Sequence, residues 1–165
     1  MWPAKLSSLQ HLAYEHATRG ACLALCARRH KSLGQVADTA CQYGSPKVVA
    51  IPADVSNVDD CKRLVEETVN HFGRLDHLVN NAGISTGAMF EEATDITNFR
   101  PIMETNFWGP VYTTHFALPY LRRSKGKIVV MSSPEAWLPT PRTAVYSASK
   151  LGLEIFYDSL GGTYT

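Results

Sequence analysis

Residues 126–150 contain three side chains whose types and spacing could support proton transfer. Tyr146 and Lys150 are four residues apart in a segment with helical periodicity, so both would lie on one helix face. A tyrosine hydroxyl is a weak acid, and an ammonium group one turn away favours its phenolate form. Ser133, thirteen residues before Tyr146, could hydrogen-bond a carbonyl or alkoxide oxygen. Together they could exchange a proton with a substrate oxygen while a cofactor moves a hydride.

The alternative interpretation of Tyr146 and Lys150 is a solvated helix face, since most Tyr-x-x-x-Lys pairs have no chemical role. The residues that precede Tyr146 in the chain favour the proton-transfer interpretation. The unbroken apolar run at residues 128–131 predicts a strand that is buried on both faces. Ser133 follows that strand directly, at the carboxyl end where open α/β sheets bind their ligands. A helix is predicted to begin near Thr143.

Two further motifs precede these residues in the chain. Asn-Asn-Ala-Gly occupies residues 80–83, and Asn106 lies within Met-Glu-Thr-Asn-Phe-Trp-Gly. With the serine, tyrosine and lysine in this order, the sequence resembles the short-chain dehydrogenase/reductase family. It is most similar to the plant hydroxysteroid dehydrogenase-like enzymes, including the steroleosins, over almost all of residues 9–158. The resemblance implies a Rossmann-like fold and the interconversion of a secondary alcohol and a ketone, with a steroid-like substrate.

The resemblance also implies roles for individual residues. Tyr146 would be the acid/base, and Lys150 would favour its phenolate and hold the nicotinamide ribose. Both would be cofactor-binding residues, and Ser133 would bind and orient the substrate oxygen. The main-chain carbonyl of Asn106 would hold a water that connects to the lysine. Pro110 supports this last role, because it has no N–H and leaves that carbonyl without its helical donor. The alternative for Asn106 is a kink that serves packing only.

Arg28 directly follows a predicted strand at residues 21–26. In a dinucleotide fold this position faces the adenosine ribose, where an acid selects NAD and an arginine suits the 2′-phosphate of NADP. The resemblance agrees, so we expect NADP(H) as the cofactor. The alternative is a solvated surface arginine.

Five further residues are candidates for cofactor binding. Asp54 and Val55 resemble the family's pair beside the adenine ring, although Asp54 could equally be a turn or cap residue. Asn80, Ala82 and Gly83 end another predicted strand, where small residues let a cofactor approach the backbone. The alternative for Asn80 and Asn81 is that these asparagines simply favour a turn.

Apolar periodicity predicts strands that alternate with helices. Strands are expected at residues 21–26, 47–51, 75–80 and 128–131, and helices at about 9–19, 33–43, 57–72, 96–123 and 143–161. Gly20 and Gly73 are expected just past two helix ends, and Ser56 is expected to cap a helix start. This alternation predicts an α/β fold with a doubly wound parallel sheet, which is Rossmann-like.

We expect that sheet to be incomplete. The family's first strand and glycine-rich loop, TGxxxGxG, have no match in residues 1–10, and the family's last strands have no match after Lys150. The expectation is one truncated NADP-binding domain over residues 1–165, with four strands and one central gap.

The composition excludes several classes of function. With 165 residues, 19% charged residues and a net charge of +1, one ordinary globular domain is expected, with no nucleic-acid partner. The four cysteines have no metal-binding spacing with the histidines, so no metal is expected and all four are interpreted as buried, reduced thiols. No apolar run reaches the length of a membrane span, which predicts a cytoplasmic protein, whereas relatives lie on lipid droplets or the ER membrane.

Two functions from different classes remain open. The first is an NADP(H)-dependent oxidoreductase that acts on a small-molecule alcohol or ketone. The second is a catalytically inactive, truncated fragment that only associates with full-length relatives. A homodimer through the two long helices, at residues 96–123 and 143–161, would be compatible with both.

Overall fold

The protein has two pairs of parallel strands, in a computed structural model that describes residues 7–87 and 89–161. The strands are β1 (Leu23–Ala27), β2 (Val48–Pro52), β3 (His77–Asn80) and β4 (Lys127–Val130). β1 pairs with β2 in the register Leu23 to Val48, and β3 pairs with β4 in the register His77 to Lys127. Because parallel strands need long crossovers, helices connect them.

The helices follow the predicted order. They are α1 (Ser8–Thr18), α2 (His30–Gln42), α3 (Val58–Phe72), α4 (Arg100–Met103), α5 (Gly109–Ser124) and α6 (Ala144–Gly161). A π-helical segment, Glu104–Trp108, joins α4 to α5. The long helix predicted at residues 96–123 is therefore present but irregular in its middle.

Local sequence signals account for most of the helix ends. Ser7 and Gln10 form a reciprocal capping box at the start of α1. Gly20 and Gly73 have positive φ angles of 74° and 76° past α1 and α3, as predicted. The prediction that Ser56 caps α3 is wrong. The cap is Asn57, whose side chain accepts hydrogen bonds from two backbone N–H groups of the first turn.

Each strand pair has its own hydrophobic core. On β1 and β2, the buried side chains of Ala13, Leu25, Leu33 and Val36 bring α1 and α2 onto the sheet. On β3 and β4, a second cluster joins α3 to α5 through Val65, Ala117 and Leu121. The two cores are separate clusters, so the sheet is divided between β1 and β3.

A cleft of about 1120 Å³ lies at this division. Its lining includes β1 and β3 but no residue of β2 or β4, which gives the lateral order β2, β1, cleft, β3, β4. Within the described residues, no strand occupies the position between β1 and β3. The predicted Rossmann-like α/β fold is confirmed, and its expected central gap corresponds to this cleft.

Two predictions about burial are wrong. β4 is not buried on both faces, because Val129 is 40% exposed and Ile128 and Val130 are only half-buried. The second prediction concerned the cysteines, of which Cys22 and Cys41 are exposed. Cys22 lies just before β1 rather than inside it, and Cys41 lies on the outer face of α2.

Of the other two cysteines, Cys61 is buried, as predicted, whereas Cys26 is only half-buried. Burial raises the pKa of Cys61 to about 12 and that of Cys26 to about 11. Across residues 7–87 and 89–161, every helix is too short or too polar to cross a lipid bilayer.

Candidate active site

α6 carries the tyrosine and lysine that the sequence singled out. Their four-residue spacing places the Lys150 Nζ atom 6.0 Å from the centre of the Tyr146 ring. Lys150 is buried, and its amine donates a 2.8 Å hydrogen bond to the Met131 carbonyl, just past the end of β4. Burial lowers the pKa of Lys150 below its usual range. The amine is therefore fixed at the carboxyl edge of the sheet, beside the tyrosine.

The loop after β3 brings Gly83 to the same place. A Cβ atom on Gly83 would lie 3.5 Å from both Lys150 Nζ and Asn106 Oδ1, so the glycine is directly beside the amine and the amide. The Asn81 side-chain oxygen, two residues earlier, is buried and has no hydrogen-bond partner among the described residues. Buried polar atoms are normally satisfied, so this oxygen is suited to a water or ligand donor.

The Asn106 side chain connects this loop to α6. Its Oδ1 accepts from the Ile84 N–H at 2.8 Å, and its Nδ2 donates to the Ile84 carbonyl at 2.9 Å. The same Nδ2 donates to Ser149 Oγ at 3.1 Å, and Ser149 donates to the Tyr146 carbonyl at 2.6 Å. Asn106 is fully buried. The sequence suggested a role for its main-chain carbonyl, and the side-chain contacts add a second, structural one.

The π-helical segment is where the sequence predicted a kink. The Gly109 N–H bonds to the Glu104 carbonyl five residues back, and Pro110 follows with no N–H to offer. Gly109 has a packing reason as well. A Cβ there would lie 3.0 Å from both the side chain and the carbonyl oxygen of Val55, so any other residue would require Val55 to move slightly. Val55 thus packs directly against the start of α5.

Ser133 and its neighbour make hydrogen bonds to two carboxylates. Ser133 Oγ donates to Glu135 in the same loop, and Ser132 Oγ donates to Glu154 on α6. The Ser133 hydrogen bond lowers the pKa of Glu135. Ser133 lies two residues past Met131, whose carbonyl holds Lys150. To bind a substrate oxygen, the Ser133 hydroxyl would exchange its carboxylate partner for that oxygen.

Six of the eight predicted cofactor residues line one cavity, the carboxyl end of the cleft between β1 and β3, whereas Tyr146 and Lys150 are not part of its lining. The six residues are Arg28, Asp54, Val55, Asn80, Ala82 and Gly83. Arg28 is exposed and directly follows β1. Asp54 also has the alternative turn role, because its Oδ1 accepts from both the backbone N–H and the hydroxyl of Ser56.

A buried network anchors Asn80 and includes residues that the sequence interpretation missed. Tyr157 on α6 accepts a 2.8 Å hydrogen bond from Asn80 Nδ2, and its hydroxyl lies 2.6 Å from Thr114 Oγ1. Thr113 donates to Asn80 Oδ1 at 2.8 Å. Burial raises the pKa of Tyr157. The available signal was spacing, since Tyr157 lies eleven residues after Tyr146 and three turns place it near the same face.

A second, smaller cavity adjoins Tyr146. Its volume is about 220 Å³, and apolar side chains dominate its lining, among them Met89, Phe90, Phe99 and Ile102. The rings of Phe90 and Phe99 are stacked with centroids 5.6 Å apart. The side of Tyr146 that faces this cavity is therefore suited to apolar groups.

An open α/β fold with a buried lysine beside a half-buried tyrosine at the carboxyl edge of parallel strands is typical of Rossmann-like, dinucleotide-binding proteins. The chain belongs to the short-chain dehydrogenase family, whose sequence profile, described as "short chain dehydrogenase", matches residues 10–164.

Curated relatives from plants are similar over most of this chain. A protein named 11-beta-hydroxysteroid dehydrogenase A from Arachis hypogaea is 64% identical over 151 residues, which are 92% of this chain and 43% of the relative. One named 11-beta-hydroxysteroid dehydrogenase-like 4A from Arabidopsis thaliana is 53% identical over 92% of this chain and 50% of its own length. The chain thus spans about half the length of these relatives.

Solved structures share the fold at lower identity. An alcohol dehydrogenase from the archaeon Thermococcus sibiricus, complexed with 5-hydroxy-NADP, superposes with a TM-score of 0.85 at 26% identity over 90% of this chain and 63% of its own. A short-chain dehydrogenase from Mycobacterium smegmatis gives a TM-score of 0.83 at 27% identity, over 92% of this chain and 64% of its own.

Replacement of Asn106 with Leu tests whether its amide holds the site together. Leucine fills the space but leaves the N–H and carbonyl of Ile84 without partners, so we expect a loss of about 3 kcal/mol in unfolding free energy. Urea denaturation followed by circular dichroism measures this loss. The matched control is Asn98→Leu at an exposed position, with an expected change within about 0.5 kcal/mol. Equal losses in both variants would contradict the anchoring role.

Proposed function

We propose that the protein is an NADP(H)-dependent oxidoreductase that interconverts a secondary alcohol and a ketone. The observation that carries the proposal is the buried Lys150 amine, fixed at the end of β4 between Tyr146 and Gly83. A lysine held in this way, one helical turn from a tyrosine hydroxyl, is an arrangement suited to proton transfer at a substrate oxygen.

The residues of the described chain fit a nicotinamide cofactor. Gly83 lies beside the lysine, Asn81 offers a buried oxygen with no partner among the described residues, and Arg28 supplies a cation at the end of β1. Lys150 and Gly83 would hold the nicotinamide ribose, Asp54 and Val55 the adenine, and Arg28 the 2′-phosphate of NADP. Bound there, the cofactor supplies or accepts the hydride. The Thermococcus sibiricus relative, which was solved with an NADP analogue, supports the preference for NADP.

The protein's own residues handle the proton. Tyr146 donates its hydroxyl proton to the substrate oxygen in reduction and takes it back in oxidation. Lys150 favours the resulting phenolate, and its low-dielectric surroundings strengthen that electrostatic effect. Ser133 orients the substrate oxygen through its hydroxyl. The Asn106 carbonyl, which has no helical donor because of Pro110, would hold a water that returns protons towards Lys150.

An apolar, steroid-like substrate is the part of the proposal that depends most on relatives, several of which are named as hydroxysteroid dehydrogenases. Two features of this chain support it. Trp137 and Leu138 are 76% and 74% exposed in the loop after Ser133, and the small cavity beside Tyr146 is apolar. Large exposed apolar side chains at the mouth of a site favour an apolar ligand.

Titration with NADPH and NADH tests the cofactor assignment. We expect saturable NADPH binding, followed by nicotinamide fluorescence, that weakens roughly tenfold in Arg28→Ala because a charge-assisted hydrogen bond to phosphate is lost. NADH binding should change less than about twofold in that variant. The control is Lys31→Ala, which removes an exposed charge three residues away in the sequence. This variant should leave the affinities for NADPH and NADH unchanged. Equal weakening of both cofactors would exclude Arg28 as the phosphate ligand.

Replacement of Tyr146 with Phe tests the catalytic assignment. With an 11-oxo steroid and cyclohexanone as probes, we expect the rate of NADPH oxidation to fall by at least about 100-fold, because the proton donor is gone. NADPH affinity and melting temperature should hardly change. Tyr43→Phe removes a hydroxyl from an exposed tyrosine and should retain full activity. The catalytic proposal fails if Tyr146→Phe retains turnover, or if the native chain binds NADPH and reduces neither probe.

Association through α5 and α6 is a second candidate function, and one surface favours it. Leu151 and Ile155 lie one turn apart on α6 and are 40% and 57% exposed. Trp108, 42% exposed, stacks on Tyr112 at the start of α5. Exposed apolar groups on neighbouring helices are typical of an interface between chains. The partner would be a second copy of this chain or a longer relative.

Sedimentation velocity tests this surface. We expect concentration-dependent association of the chain, alone or with the Arachis hypogaea relative, and a loss of at least tenfold in association constant for Ile155→Glu, because a charge would be buried at the interface. Ile96→Glu is the matched control, since Ile96 is 58% exposed and lies outside α5 and α6. A native chain that stays monomeric under both conditions would rule this association out.

A further inference from the structure

Residues 53–55, just past the end of β2, line the cleft but belong to no helix or strand. Two of them, Asp54 and Val55, are the residues that the proposed function assigns to the adenine of the cofactor. A segment of this kind has no strand ladder or helical turn to fix its position. Its backbone N–H and carbonyl groups need other partners, and those partners decide where its side chains lie.

Asp60, in the first turn of α3, provides one of these partners. Its Oδ2 accepts a 2.8 Å hydrogen bond from the main-chain N–H of Asp54, and its Oδ1 accepts a 2.9 Å hydrogen bond from Arg63. Arg63 also donates to the carbonyl of Pro52, the last residue of β2, at 2.7 Å. The hydrogen bond from Asp54, followed by that from Arg63, lowers the pKa of Asp60, so its carboxylate is ionised at neutral pH.

Two thiols hold the residues on either side of Asp54. The Cys61 thiol donates to the Val55 carbonyl at 3.2 Å, and the Cys26 thiol on β1 donates to the Ala53 carbonyl at 3.7 Å. Val55 also packs against Gly109 at the start of α5. The neighbours of Asp54 therefore have partners of their own, whereas its main-chain N–H depends on Asp60.

The Asp54 side chain has one carboxylate oxygen available to a ligand. Its Oδ1 accepts from both the N–H and the hydroxyl of Ser56. Among the residues that the structure describes, none donates to Oδ2. Adenine carries a suitable donor in its exocyclic amine, whereas hypoxanthine has a carbonyl oxygen at the same position. An Asp54 carboxylate in a fixed place could therefore distinguish these two bases.

We propose that Asp60 is a positioning residue that holds the Asp54 carboxylate in place for recognition of the adenine amine of NADP(H). The inference rests on the proposed function, since it requires the cofactor to bind in the cleft. Asp60 is not part of the cleft lining, so it would act through the main chain of Asp54. Without this hydrogen bond, Asp54 would lose its fixed place, and selectivity for the base would fall while other cofactor contacts remain.

A comparison of NADPH with its hypoxanthine analogue tests the proposal, with binding followed by nicotinamide fluorescence. We expect the native chain to prefer NADPH by at least about tenfold, since the analogue gives the carboxylate no donor. Asp60→Ala should reduce this preference to less than about threefold, because the acceptor that fixes Asp54 is gone. The matched control is Asp59→Ala, which removes a carboxylate from the same turn of α3 and should keep the native preference.

The possible outcomes separate this inference from the proposed function. Equal weakening of both ligands in Asp60→Ala, with the preference retained, would indicate a general structural role and would overturn the positioning role. A native chain that binds NADPH and its analogue equally would also overturn it, while the NADP(H) assignment would remain. A native chain that binds neither ligand would overturn the cofactor assignment itself, and this inference with it.

Hydrogen exchange followed by NMR tests the same contact without any cofactor. We expect the Asp54 amide to exchange at least about tenfold faster in Asp60→Ala than in the native chain or in Asp59→Ala, while the amides of β3 are unchanged. If Asp60→Ala loses its circular dichroism signal, Asp60→Asn takes its place. Asparagine retains one acceptor oxygen but no charge, so a smaller change in the same direction is expected. An Asp54 amide that exchanges at the native rate in the folded variant would contradict the proposal.

Discussion

The candidate active site depends on one buried side chain, the amide of Asn106. It forms hydrogen bonds with both backbone groups of Ile84 and with Ser149, so it fixes the loop after β3 to α6. That loop carries Gly83, and α6 carries Tyr146. Because all of the amide's partners are buried or backbone groups, they have no water to replace a lost hydrogen bond. The relative position of lysine, tyrosine and glycine is set by this contact rather than by either element alone.

A second polar network acts on the other side of the same strand end. Asn80 contacts Thr113 and Thr114 on α5 and Tyr157 on α6, so the last residue of β3 is tied to two helices. Polar contacts of this kind have strict geometry, whereas apolar packing tolerates small shifts. Polar contacts thus fix the position of the residues at the carboxyl edge of β3 and β4. The core beneath this edge is apolar and is formed by Val65, Ala117 and Leu121.

The two half-sheets contribute different residues to the candidate site. Tyr146 and Lys150 lie beside the half formed by β3 and β4, while Arg28 belongs to the half formed by β1 and β2. Direct contacts bridge the halves at a few points, such as the edge-to-face contact of His16 with His77 and the packing of Val55 on Gly109. Any ligand that contacts both Arg28 and Lys150 would therefore also hold the two halves at a fixed separation. Cofactor binding and the integrity of the sheet are expected to be coupled for this reason.

Local patterns in the sequence determined the order of strands and helices, the αL glycines at Gly20 and Gly73, and the Tyr146–Lys150 pair, because each of these depends on neighbours a few residues away. The central gap was expected from the resemblance, because the family's first strand has no match in residues 1–10. Only the tertiary structure decided what Asn106, Ser149 and Tyr157 contact, because those partners lie on elements far apart in the chain. The same reason explains the errors: the exposure of Val129 and Cys41 depends on what packs against the outer faces of β4 and α2. Periodicity identifies a buried face but does not say which elements cover it.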